Sequence, residues 1–255
     1  MDREKIKSYS TKFDSTEIQD ADTFEKDAID FRNQFVELKY DTIQPNFDLL
    51  FKISFSIASH YRPIVQTNGC DCLYVICDQA APAQIKRVAP QLRKCFDQLI
   101  QVGNSEVIPA LLPAIERSIE FIFESPSSND FHQFFLHYLE TWSREATTPV
   151  ASFSFSKNFS KILKFVGLAT SRYLKPAFAI IQRRLLMTKS KSHAIELARD
   201  VLAICQQTWP VVKSFESDLS FLERAKEICN DDNDLIEIIQ SIDEILAEAP
   251  KQPSF

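Results

Sequence analysis

From residue 45 to residue 247 the apolar residues of this chain recur at three- and four-residue spacing with almost no pause. Phe47, Leu50, Ile53 and Ile57 form one such stripe, Leu92, Cys95, Phe96 and Leu99 another, and Leu235, Ile238, Ile239, Ile242 and Leu246 a last one. This spacing gathers side chains on one face of a helix; a half-buried strand would need alternation at every second residue. No alternating run lies between paired turn signals, so the prediction is all-α, without a sheet.

Proline, glycine and capping residues divide the pattern. Pro63 is predicted to open a helix carrying Val65, Cys72, Leu73 and Ile76, and Gly103 to close the Leu92–Leu99 helix from the position just past its end. Ser105 reads as the N-cap of a helix through Ile122, with Pro109 and Pro113 delaying its start or kinking it. Phe131, Phe134, Phe135, Tyr138 and Trp142 mark an aromatic helix, followed by a linker over 147–156. Helices are then predicted over 157–175 and 176–188, meeting at Pro176, and over 192–208 and 210–230, hinged at Trp209-Pro210. Roughly ten helices with short connections and broad apolar faces match stacked helix pairs, which in HEAT and armadillo arrays repeat about every 40 residues. The expected architecture is a HEAT/armadillo-like α-solenoid over 22–248, between a flexible arm at 1–21 and a flexible tail at 249–255. No exact sequence repeat is visible, and a globular helical bundle is the alternative.

Composition excludes several chemistries. Only three glycines, Gly69, Gly103 and Gly167, stand in the chain, each isolated. A phosphate-cradling loop needs clustered glycines to bring backbone N–H groups to the ligand, so P-loop and dinucleotide-binding enzymes are excluded. No stretch of eighteen apolar residues suits a membrane span, and Met1-Asp2-Arg3-Glu4-Lys5 lacks the apolar core of an export signal. Six cysteines then read as reduced thiols, and the expected location is cytoplasmic, with the nucleus also open.

Metal and catalytic candidates fail on spacing. Cys70 and Cys72, two apart on a helix, point in different directions, and His60 and Cys77 do not complete a turn-held zinc set. His132 and His137 are one residue too far apart for a two-histidine helix face. Asp231 to Asp234 lack the glycine and glutamate of a calcium loop and read as an N-cap with first-turn acids. No serine sits in a nucleophile elbow. No cofactor, metal, small-molecule substrate or catalysis is expected.

Charge is the strongest remaining signal. Between Ala146 and Ile195 there is no acidic residue, while Lys157, Lys161, Lys164, Arg172, Lys175, Arg183, Arg184, Lys189 and Lys191 make that stretch +9 in a chain of net −6. Residues 215–248 hold eleven acids against Arg224 and Lys226. Such a basic sector can steer an acidic protein segment, neutralise nucleic-acid phosphates, or pair internally with the acidic helices. Nucleic acid fits least, because the whole chain is acidic and the local aromatics suit core positions.

Leu49-Leu50, Tyr61, Pro63, Gly69, Cys72 and Leu73 form one group of residues, Gly167 followed by Tyr173-Leu174-Lys175 a second, and Thr208-Trp209-Pro210 a third. In order and spacing the three resemble the first signature, the glycine and leucine–lysine helix and the Thr-Trp-Pro element of the Tti-two family, the smaller Tti subunit of the Triple-T complex. The chain departs from the pattern at Val166, at Ser59-His60 where the family tends to carry acids, and at Val211 where it often has arginine. The resemblance implies a HEAT-like solenoid without catalytic activity, a scaffold bound to a larger Tti-one-like HEAT protein and a Tel-two-like subunit. Through the heat-shock-90 machinery such a complex supports maturation of phosphatidylinositol-3-kinase-related kinases. The partner-binding candidates are Lys157, Lys161, Lys164, Arg172, Lys175, Arg183 and Trp209, the last either a core anchor or an interface hot spot. The alternatives are a generic HEAT/armadillo adaptor for other cargo and a nucleic-acid-binding helical repeat.

Overall fold

The computed structural model describes residues 1–14, 20–144, 147–230 and 232–249. They form α1 (Arg3–Asp14), α2 (Ala21–Phe35), α3 (Tyr40–Ala58), α4 (Pro63–Gln79), α5 (Pro82–Val102), α6 (Ile108–Ile122), α7 (Asn129–Ser143), α8 (Pro149–Val166), α9 (Leu174–Met187), α10 (Lys191–Val212), α11 (Leu222–Cys229) and α12 (Asn233–Glu248). Short 3-10 helices follow α8 (Gly167–Tyr173) and α10 (Lys213–Phe221), and the described residues contain no strand. The fold is all-α and divides into two compact units, Met1–Ser125 and Pro126–Phe255.

Within each unit, helices two apart in sequence pack side by side: α1 and α3, α2 with α4 and α4 with α6 in the first, α8 with α10 and α10 with α12 in the second. Side-chain bonds between these neighbours fix the repeat length. Arg32 on α2 pairs with Asp71 on α4, 39 residues on, Arg117 on α6 with Asp78 on α4 at the same separation, and Gln84 on α5 donates to the carbonyl of Gln44 on α3 across 40. In the second unit Ser152 meets His193 across 41 residues, and Arg183 donates to the Ser143 carbonyl across 40. Both ends of each bond advance together along the chain, so helices two apart run parallel. This is the two-layer stacking of helix hairpins found in HEAT- and armadillo-type repeats.

The N-terminal segment departs from expectation. Arg3–Asp14 is a helix, not a flexible arm, because Ile6, Tyr9 and Phe13 share a buried face. Tyr9 donates to Asp30 and its ring lies 5.1 Å from that of Phe31, while Lys12 pairs with Asp27 at 2.6 Å. Of the expected C-terminal tail, Ala249 is buried; residues 250–255 lie outside the described set, as do 15–19 of the expected arm.

Other boundaries moved for local reasons. The expected 147–156 linker is largely the start of α8: Thr148 caps it by accepting from the Ala151 N–H, and Pro149 occupies the first turn, where no N–H is needed. The break expected at Pro176 falls at Gly167 instead, whose φ of 54° and ψ of −139° suit glycine, while Pro176 sits harmlessly in the first turn of α9. Ser105 does not cap α6; Val107 holds that position and Pro109 delays the start. At Trp209-Pro210 the chain bends without ending: α10 runs to Val212, with Thr208 non-helical at φ −116° and ψ 16°, as a proline two residues later dictates by removing an N–H and crowding the preceding turn. Gly103 closes α5 in the left-handed conformation as predicted.

The core of the second unit is aromatic, and it contains ionisable groups. Tyr138, Trp142, Phe155 and Phe159 are fully buried, with Trp142 5.1 Å from Phe159 and its indole N–H donating to Ser152 at 3.4 Å. Arg184 is buried and donates to the carbonyls of Trp142 and Arg144, capping the end of α7 where the helix dipole favours a cation. Ser156 donates to buried Asp200, and burial holds that carboxyl well above the usual range. Burial, aided by Arg184, lowers His193 to about 4.

A histidine kept neutral in the folded chain binds fewer protons than in the unfolded chain between pH 4 and 6.5. Its contribution is therefore present above pH 6.5 and lost as pH falls through about 4. That window is worth at most roughly 3 kcal/mol. Asp200, shifted upward, has the opposite slope, since its stabilisation is lost as pH rises. His193→Gln is expected to flatten the acid-side loss of stability. Urea unfolding of both chains at several pH values checks it, and an identical pH profile would refute it.

Candidate protein-interaction surface

No group of three or more histidine, cysteine or acidic side chains able to hold a metal ion occurs among the described residues. All six cysteines are buried and form no disulfide, and burial raises the thiols of Cys70, Cys72, Cys77, Cys95, Cys205 and Cys229, which favours the protonated form of each. Cys70 lies near Cys95 and Cys72 near Ser54, and both are covered because α4 is packed by α2, α3 and α6. His60 stacks on Phe24 at 4.6 Å and on Tyr61 at 4.4 Å, and His132 bonds the Tyr173 hydroxyl at 2.7 Å. These are packing roles. Asp232 caps α12 by accepting from Asp234, as expected of that acidic run, while Asp231 lies outside the described residues.

Of the nine cations of the basic segment, Lys189 is exposed between α9 and α10, and the other eight separate into two kinds. Arg184 is buried, Arg183 donates to the Ser143 carbonyl at 3.4 Å, and Lys191 pairs with Asp232 at 2.6 Å. Together with Arg199–Asp234 at 3.4 Å, the last pair joins α10 to α12, so part of the basic segment does meet the acidic helices. Lys157, Lys161 and Lys164 instead line the exposed face of α8, with Arg172 and Lys175 exposed beyond its end. Lys157, Lys164, Arg172 and Lys175 have no ion-pair partner among the described residues.

The family-like positions fall into structural and exposed groups. Leu50 and Leu73 are buried, Leu49 is half-buried, and Leu174 and Thr208 are buried, Thr208 donating to the Ile204 carbonyl at 2.7 Å. A Cβ on Gly69 would clash with the Ala58 backbone nitrogen and would itself lie 2.5 Å from the Ala58 Cα, so this glycine lets α3 and α4 touch. Tyr61 is 73% exposed, and Trp209 is 42% exposed and not a core anchor; the buried tryptophan is Trp142. Pro210 is placed in α10, and its side chain lies outside the described residues.

Packing gathers the later motifs at one end of the second unit. Ser152 with His193 and Ser156 with Asp200 set the parallel register of α8 against α10. Carried along both helices, it brings Gly167 and Leu168 level with the Thr208–Val212 end of α10, and the 3-10 turn at 167–173 packs on α10. Leu168, 69% exposed, thus shares this end with Trp209, Lys164, Arg172 and Lys175. Leu168 carried no signal in the sequence, because one leucine beside a glycine has no periodicity to read.

No family model and no curated protein matches the chain. Among solved structures it is similar to an engineered protein with TM-score 0.67 and 13% identity, covering 94% of this chain and 96% of that one. A second engineered protein matches with TM-score 0.60 and 16% identity over 96% and 99% of the two chains. At these identities the likeness concerns the fold alone. None of the helices, among the described residues, is long and apolar enough to cross a membrane.

Proposed function

We propose that the chain is a non-catalytic adaptor, a scaffold subunit of a Triple-T-like co-chaperone complex that supports maturation and stability of phosphatidylinositol-3-kinase-related kinases through protein–protein binding. The observation that carries this reading is the meeting, at one end of the second unit, of Gly167, Leu174, Lys175, Thr208 and Trp209 with exposed Leu168 and with cations lacking an ion-pair partner among the described residues. Tryptophan and arginine are the residues in which interface hot spots are enriched, and a polar, charged rim commonly surrounds them. In this reading a larger Tti-one-like HEAT protein is the direct ligand and a Tel-two-like subunit the third member. The heat-shock-90 machinery and the kinases are engaged indirectly, in cytoplasm and nucleus. The chain contributes binding energy and no chemistry.

Affinity purification of the tagged chain from its native cells, with mass spectrometry of what accompanies it, tests the reading. The expected result is a larger HEAT-like protein with a third helical subunit; unrelated cargo would leave the generic HEAT/armadillo adaptor instead. With the partner in hand, reversing Lys161, Lys164 and Arg172 to glutamate is expected to slow association by roughly tenfold at low salt and to flatten its salt dependence. Unchanged association rates at low ionic strength would remove the steering role.

A further inference from the structure

We infer that the α8–α10 end of the second unit binds a short acidic protein segment that inserts an apolar side chain between Leu168 and Trp209 while its carboxylates meet Lys164, Arg172 and Lys175. This deepens the adaptor reading, on which it rests, by assigning the partner's chemistry.

Three observations converge on that occupant. Leu168 and Trp209 are large, exposed and brought to one end by the parallel packing of α8 and α10. An indole offers broad contact area with little side-chain entropy to lose. Around them the cations are exposed and, at Lys164, Arg172 and Lys175, lack an ion-pair partner among the described residues, so their charge is available to a ligand. Lys175 also sits in the first turn of α9, whose N-terminus adds positive potential, and no acidic residue stands in that turn.

Charge also limits the ligand's length. The positive face of α8 from Lys157 to Lys164 rises only about 10 Å. The same unit carries Glu237, Asp243 and Glu244, all exposed, on α12, the parallel neighbour of α10. A long polyanion tracking the basic face would extend into this acidic helix, whereas a short segment would remain within roughly one Debye length of the cations. A peptide with two or three carboxylates around an apolar anchor satisfies both the charge and the apolar contacts; a nucleic-acid backbone satisfies only the first.

The full-length chain would be titrated into a fluorescein-labelled peptide of about fifteen residues, rich in glutamate, with leucines four apart, which places them on one helical face. Expected are saturable binding that weakens as salt rises, a roughly tenfold or greater loss with Trp209→Ala, and a similar loss when the peptide leucines become serine. Lys164→Glu with Arg172→Glu and Lys175→Glu should abolish binding of the acidic peptide and create binding of its lysine counterpart, which shows at once that the variant is folded. Absence of binding by the acidic peptide, indifference to Trp209→Ala, or tighter binding of an oligothymidylate of matched charge would each overturn the proposal. Co-purification names a partner whatever its chemistry, so failure here and failure of the adaptor reading are distinguishable.

Discussion

A Gly69→Ala chain is expected to be less stable than its parent by about 2 kcal/mol, and Gly69→Leu to lose the folded first unit altogether. Helix propensity alone argues the reverse, since alanine in a helix interior is favoured over glycine by about 1 kcal/mol. The packing decides the sign. A Cβ at residue 69 would press on the Ala58 backbone nitrogen, 2.5 Å from the Ala58 Cα and 2.8 Å from its Cβ. Backbone cannot rotate aside as the end of a long side chain can, so α3 and α4 must separate. Their separation would loosen Ile57, Ala58, Cys70 and Leu73, all buried against this junction. Hydrogen exchange resolved by segment should show faster exchange in 40–79 with the second unit little changed. A stabilised Gly69→Ala chain would show that the two helices have room to spare.

Trp142→Ala is expected to cost about 3–5 kcal/mol, the range for removing a large buried aromatic side chain. The indole is fully buried among Tyr138, Phe155 and Phe159, and its N–H is the donor to Ser152, which in turn meets His193. Alanine would leave a cavity and remove a donor from a buried hydroxyl. Trp142→Phe should cost less, because it keeps most of the ring contacts. Each unit has its own core, so unfolding need not be a single transition; segment-resolved exchange separates the second unit from the first. Fluorescence offers a second reading, since the chain has two tryptophans: Trp209→Phe leaves buried Trp142 as the sole reporter. A loss below about 1 kcal/mol for Trp142→Ala would mean that the aromatic cluster is loosely packed.

The α-solenoid class and most helices were legible in the sequence because helical periodicity is local. Four residues such as Leu235, Ile238, Ile242 and Leu246 declare a buried face without reference to the rest of the chain, and all four are buried in α12. Pro63 and Gly103 were legible for the same reason, since their backbone limits act on one turn. The N-terminal helix was missed because its apolar residues, Ile6, Tyr9 and Phe13, are few and lie among polar neighbours. Only α2 and α3 make that face worth burying.

The helical class and the concentration of positive charge between residues 157 and 191 follow from the order of the residues alone. Folding sets the forty-residue period, which is carried by bonds such as Arg32–Asp71 and Arg117–Asp78 rather than by recurring residue types. It also decided which cations are spent internally, as Arg184 and Lys191 are, and which face outward with Leu168 and Trp209. The difference is one of range. Propensity and periodicity act within a few residues along the chain, whereas exposure and pairing depend on which helix is stacked alongside, and that neighbour lies some forty residues away.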